Sequence, residues 1–326
     1  MTTPRDNSPG WAIMFIVLAM TCISINDMLI KLLSGDYPLH QMVFLRSAIG
    51  IFFSLVILKF EGGITLLRTD RVWLHLLRGL CIVGANMAFF AAIAVIPLAD
   101  ATALFFVAPL FITILAVPFL GERVGARRLG AVAFGFLGVL IMLRPGGLGA
   151  DSAPDWRVLL LPIAAAFAYA CMQILTRKLG VASKASALAV YLQGTFITVS
   201  LIFWAIAGDG RFAEGIENKS AIFLLRAWTW PSGNDWFPFL LLGGMSAVIG
   251  YALSQAYRLA DAATIAPFEY TALPLSIFWG WIIFGHFPDR WVLSGIAMIA
   301  AAGVYIFVRE RKKSHTIAGA RPLRRV

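Results

Sequence analysis

Glu269 stands in the run Pro267-Phe268-Glu269-Tyr270, with Pro274 a little over one turn further on, inside an otherwise apolar stretch. A charge in the middle of an apolar helix costs at least ~2.5–3.5 kcal/mol on the most lenient insertion scale, so each such group needs a reason. Prolines on either side weaken the helix and free backbone carbonyls that must then face protein or a wet cavity. A carboxylate beside aromatic rings suits a cationic or zwitterionic ligand, through charge pairing and cation–π contact. Other polar groups also stand inside apolar segments: the neighbours Asn26 and Asp27, late in the first, then Arg46, then Arg78.

The candidate site is therefore Glu269 and Arg78 at a central cavity lined by Asn26, Asn86, Phe89, Phe90, Tyr169, Gln173, Gln255 and Tyr270. Tyr169 lies one turn before Gln173, so the two share a helix face. The plainer alternative is that Glu269 and Arg78 pair only to fasten helices together, because two buried charges tolerate each other better than one alone. Arg46 is expected near a span end, where its long side chain can snorkel to the interface. His75 reads as structural, and Asp100 and Asp261 read as caps at the starts of helices.

These residues are carried by a chain that is 60% hydrophobic and 13% charged, with a mean hydropathy of +0.82. No globule hides that much apolar surface from water, so the fold class is an all-α membrane protein. The net charge of +10 does not imply nucleic acid, because the basic residues occupy short gaps between apolar segments and a tail from Arg309 onward. Such placement fits contact with anionic lipid heads. Cys22, Cys81 and Cys171 all lie in apolar segments and have no metal-ligand spacing. They read as small apolar residues, and neither a metal nor a cofactor is expected.

Measured against the ~20 residues that a span requires, the apolar runs predict ten transmembrane helices: 11–33, 40–60, 73–95, 101–120, 129–145, 157–179, 186–207, 237–257, 263–285 and 291–308. The first is too long for the core of a signal peptide and is retained as a helix. The long polar gap, 208–235, contains Trp228, Trp230 and Pro231 and predicts an interfacial element. The sequence also repeats. Leu98-Ala99-Asp100-Ala101-Thr102 returns as Leu259-Ala260-Asp261-Ala262-Ala263, Pro109 as Pro274, and Leu120-Gly121-Glu122 as Phe284-Gly285-His286. Gly130 and Gly138 match Gly295 and Gly303, and Asn26, Lys31 and Leu32 match Gln173, Lys178 and Leu179. The organisation is thus a five-helix repeat at 1–150, a second at 151–310, and a basic tail at 311–326. Five spans per half forces the second copy to enter from the opposite side, giving an inverted five-plus-five repeat.

With the N-terminus inside, 18 Lys and Arg residues fall on the inner side and 7 on the outer. That bias places both termini in the cytoplasm of a bacterial inner (plasma) membrane. Glycines and alanines crowd the fifth and tenth spans, predicting a close packing surface within one chain or between copies, so the chain is a monomer or a homodimer. No P-loop, H-E-x-x-H or G-x-S-x-G occurs, and the chain reads as no enzyme and no ATP-driven pump. A duplicated apolar chain with internal charges implies secondary transport of a small-molecule substrate across the bilayer by alternating access, coupled to protons or to a counter-substrate. The alternatives are an exporter of amino acids or drugs, or a ligand-sensing membrane receptor.

The paired halves, the block Ile96-Pro97-Leu98-Ala99-Asp100-Ala101-Thr102-Ala103, Ala108-Pro109-Leu110 and the spaced Gly130 and Gly138 resemble the EamA branch of the drug/metabolite transporter superfamily. A narrower likeness is to its S-adenosylmethionine uptake carriers. It is carried by Ser24-x-Asn26-Asp27-x-x-x-Lys31, His75-x-x-Arg78-Gly79, Asp261-Ala262-x-Thr264-x-Ala266-Pro267-x-x-Tyr270 and Phe284-Gly285-x-Phe287-Pro288-Asp289. The resemblance implies ten helices and an amino-acid-like zwitterionic or cationic substrate such as S-adenosylmethionine. Two positions depart from the pattern: Glu269 replaces a basic residue, and His286 an acidic or amide one.

Overall fold

The computed structural model describes residues 9–68, 72–121, 125–143, 156–179, 185–259 and 268–319, all helix, turn or irregular backbone with no strand among them. The helices are α1 (Pro9–Leu33), α2 (Leu39–Glu61), α3 (Val72–Ile93), α4 (Leu98–Phe105), α5 (Ala108–Leu120) and α6 (Ala126–Leu143). There follow α7 (Trp156–Leu179), α8 (Ala185–Ala207), α9 (Lys219–Leu225), α10 (Trp236–Leu259), α11 (Ala272–Phe284) and α12 (Arg290–Gly319). Among the described residues, seven helical stretches are long and apolar enough to cross a membrane, the α4–α5 pair counting as one. Shorter apolar helices run over Leu129–Leu143, Ala272–Phe284 and Arg290–Ile306.

Two stretches expected as continuous spans are broken. Residues 101–120 divide at Phe106 and Val107, where Phe106 N–H bonds back to both Thr102 and Ala103 and Val107 N–H to Leu104. Pro109 has no N–H to donate and its ring crowds the preceding turn, so the helix restarts rather than continues. Residues 263–267 lie outside the described residues, but α11 likewise starts afresh at Ala272, two residues before Pro274. Both second segments end alike, at Gly121 (φ 69°) and Gly285 (φ 67°), left-handed positions that glycine adopts without a Cβ penalty. Asp100 does not occupy the N-cap of α4, which is Pro97; it sits in the first turn, while Asp261 is outside the described residues. At the other end of the chain, α12 continues through Gly319, past the expected limit at 308.

Helices pack in long pairs: α1 along α10, α3 along α7, α2 along α8, and α6 along α12. Without a hydrophobic difference between lipid and side chain, such pairs rely on close approach of small residues. Gly138 and Gly295 meet in this way. A Cβ on Gly138 would lie 3.0 Å from the Gly295 carbonyl, and one on Gly295 would lie 2.8 Å from the Gly138 carbonyl. The glycine-rich fifth and tenth spans therefore pack on each other within one chain. Ile93, Ile96, Leu98, Leu104 and Leu110 are fully buried at the centre, whereas Phe52, Phe60 and Trp73 are exposed on the perimeter.

The α1–α2 connection is tied to the long segment between α8 and α10. Tyr37 donates from its hydroxyl to Asp235 at 2.6 Å, and Ser232 donates to the same carboxylate at 2.5 Å. Gln41 exchanges two hydrogen bonds with the backbone of Thr229, and Arg226 donates to the carbonyls of Ser34 and Gly35. The short helix α9 starts at Asn218, whose side chain accepts from Ala221 N–H. The Trp228 ring packs against His40, Phe44 and Trp204. Trp230 is exposed.

Candidate functional site

Tyr169 is the hub. Its α7 position brings it close enough to interact electrostatically with both Arg78 of α3 and Glu269 at the break before α11. Gln173, one turn along α7, donates to the Tyr169 hydroxyl at 2.8 Å. This grouping follows from the packing of α3 along α7 and from the broken helix, which lets Glu269 lie beside a helix end. All four side chains are half-buried rather than sealed.

An aromatic chain leads away from this hub. Tyr169 meets Phe105 at 5.5 Å between ring centroids, Phe105 meets Phe89 at 5.3 Å, and Phe89 meets Phe90 at 5.7 Å. Tyr270 lies on the other side of the α4–α5 break, its ring 4.9 Å from that of Phe106. Its hydroxyl presses against Gly303 of α12, where a Cβ would collide with it, and it finds no hydrogen-bond partner among the described residues. Offset and edge-on aromatic pairs of this kind contribute roughly 0.5–1.5 kcal/mol each beyond burial, and they present flat faces to any ring inserted among them.

At the far end of the chain of rings, the Arg46 guanidinium lies over Phe90 (5.8 Å) and Phe196 (5.3 Å). Arg46 does not snorkel. It is 7% exposed, and Asp27 of α1 is close enough to act on it. Asn26, 5% exposed, donates to the Asp27 carboxylate at 3.1 Å.

The other candidates lie apart from this arrangement. Asn86 donates to its own helix at Ile82 and lines a mainly apolar cleft between α2, α3 and α8 that also takes in Phe196, with Leu224 of α9 at its edge. Gln255 lines a second, more polar cleft with Glu61, Gln193, Ser246 and Tyr251. His75 is buried, stacked on Tyr191 at 5.0 Å, consistent with packing. No cluster of metal-ligating side chains occurs among the described residues.

Sequence reasoning passed over three contributors. Lys31, read as one of the outer charges, donates to the carbonyls of Ile93 and Ile96, where α3 ends. It also lies near Asp100 and over Phe284. Phe105 and Phe106 were hidden among 25 phenylalanines; the signal was their place just before Ala108-Pro109, where a broken helix turns adjacent side chains inward.

Many apolar helices around half-buried charges and rings define a multi-pass membrane protein with an internal polar site. Residues 10–144 match the model of the EamA-like transporter family. Across 302 residues, 92% of each chain, the sequence is 30% identical to a protein named riboflavin transporter from Rhizobium johnstonii. It is 27% identical over 306 residues, 93% of each chain, to one named S-adenosylmethionine uptake transporter from Rickettsia felis. A crystal structure of another protein superposes with a TM-score of 0.62 at 18% identity, covering 94% of this chain and 98% of that one, and so shares the fold. The chain belongs to the EamA-like transporter family, a branch of the drug/metabolite transporter superfamily.

Proposed function

We propose that this protein is a ten-crossing secondary carrier built as an inverted five-plus-five repeat, which moves a small zwitterionic or cationic metabolite by alternating access. The observation that carries the reading is that Tyr169 lies close enough to Arg78 and to Glu269 to interact electrostatically with both. Two opposite charges there are tolerable when they are wetted or occupied, and a carrier needs a wet central site. The helix packing supports the repeat. Exchanging each span for its counterpart turns the α1–α10 pair into α7–α3, α5–α7 into α11–α1, and α2–α10 into α8–α3; α2–α8 and α6–α12 map onto themselves. The Lys and Arg bias supports cytoplasmic termini in the inner membrane.

Riboflavin and S-adenosylmethionine, the compounds in the relatives' names, each carry a flat heteroaromatic ring and a long polar chain. The rings of Phe89, Phe105, Tyr169 and Tyr270 suit the former, and the Arg78–Glu269 pair the latter. Of the two, S-adenosylmethionine carries the sulfonium and ammonium charges that a carboxylate such as Glu269 would draw. Uptake is driven by protons or by exchange, since no nucleotide-binding loop is present.

The test is uptake of labelled S-adenosylmethionine and of riboflavin into proteoliposomes, run beside thermal stabilisation of the purified protein by each. A ligand at 100 times Kd adds about 2.7 kcal/mol of stability. A carrier shows saturable flux of the compound that stabilises it. Stabilisation without flux means a receptor, and flux only from the inner face outward means an exporter.

A further inference from the structure

The charged pair at the far end of the aromatic chain has unfilled hydrogen-bonding capacity. Arg46 Nε–H is a donor and Asn26 Oδ1 an acceptor; both atoms are buried and neither has a partner among the described residues. Asp27 takes its hydrogen bond from the other end of the Asn26 amide, at 3.1 Å, and remains half-buried although it lies inside the bundle. The guanidinium rests on Phe90 and Phe196, both themselves buried. A pair built only to fasten α1 to α2 would close on itself, because buried donors and acceptors are costly to leave unmade. Here one donor and one acceptor are left over, beside a cation and an anion. The complementary ligand bears both an anion with acceptor oxygens and a cation with N–H donors, on neighbouring atoms.

We propose that Arg46, Asn26 and Asp27 form a subsite for the α-amino-acid end of the substrate, the carboxylate on Arg46 and the ammonium between Asp27 and Asn26 Oδ1. This rests on the carrier reading above and deepens it. Asp27 lies six residues before the end of α1 and Arg46 seven residues into α2, which places both roughly 10 Å below the face closed by the α1–α2 connection. Tyr169, thirteen residues into α7, lies about twice as deep. The rings of Phe90, Phe89 and Phe105 bridge that difference, so an elongated substrate would lay its ring along them with its amino-acid end toward Arg46.

The experiment uses the full-length protein and two probes, S-adenosylmethionine and its decarboxylated analogue, which lacks only the carboxylate. Binding is read as the shift in melting temperature in detergent, and flux separately in proteoliposomes. The wild-type protein favours the zwitterion by about tenfold or more, the usual worth of a charged hydrogen bond. Arg46→Gln loses that preference while still binding the analogue. Arg46→Lys, which keeps the charge but not the fork, retains part of the preference and serves if the glutamine variant fails to fold. Asp27→Asn weakens binding of both probes, since both keep the ammonium. An unchanged preference in Arg46→Gln with flux intact overturns the subsite and leaves the carrier. Wild-type preference for the zwitterion, lost in the variant but without flux for either probe, supports the subsite and overturns the carrier. Failure of the wild-type protein to distinguish the probes overturns the subsite outright.

Discussion

A buried charge that loses its partner is a worse state than none, and that asymmetry makes Glu269 and Arg78 separable by substitution. If Glu269 holds substrate, Glu269→Gln abolishes transport at near-normal folded yield, and adding Arg78→Gln does not restore it. If the two merely pair, each single variant lowers the monodisperse yield and the double recovers both yield and activity. Lys31 gives a contrasting expectation. Its ammonium satisfies the carbonyls of Ile93 and Ile96, so Lys31→Met leaves them orphaned and costs about 1–3 kcal/mol. A fall in melting temperature with unchanged substrate affinity checks this; a selective loss of affinity would move Lys31 into the site. Individual residues were legible to the extent that their charge was anomalous. Glu269, Arg78, Asn26 and Arg46 announce themselves in apolar segments. Phe105, Phe106 and Phe196 do not, because one phenylalanine among many carries no mark of which face it takes.

Helix existence was plain from apolar length, but helix continuity was not. Pro109 and Pro274 signal weakened helices, yet only packing decides whether a proline kinks a span or divides it, as at Phe106–Val107. Asp100 was read as a cap because acidic residues favour helix starts; the N-cap fell instead at Pro97, and Asp100 lies near Lys31. The glycine signal translated directly. Gly138 and Gly295 approach backbone to backbone, so Gly138→Leu or Gly295→Leu overpacks the α6–α12 seam and costs about 1–3 kcal/mol. Gly130, with open space around its would-be Cβ, accepts alanine without loss. Thermal denaturation of the three variants in one detergent measures the contrast; equal effects at all three positions would remove the seam.

For the whole molecule, the network of Tyr37, Gln41, Arg226, Ser232 and Asp235 latches the α1–α2 connection to the segment between α9 and α10 at one face of the bundle. Hydrogen bonds from Ser232 and then Tyr37 hold the Asp235 carboxyl below its ordinary 3.8. A depressed carboxyl stabilises the folded form above the unfolded value and loses that contribution as pH falls through the folded one. The Asp235 contribution is therefore whole at pH 5 and at pH 7, and is lost only as pH falls below the ordinary carboxyl value. Asp235→Asn loosens the latch at neutral pH, seen as faster amide hydrogen exchange in residues 34–37; unchanged exchange there would remove Asp235 from the latch. Opening this face while sealing the other is what alternating access demands. Trans-stimulation tests that most directly. Proteoliposomes preloaded with unlabelled S-adenosylmethionine should take up the labelled compound faster than empty ones, because the loaded site returns occupied. Uptake that preloading leaves unchanged or slows, or that rises without saturation, would contradict a single central site exposed to one side at a time.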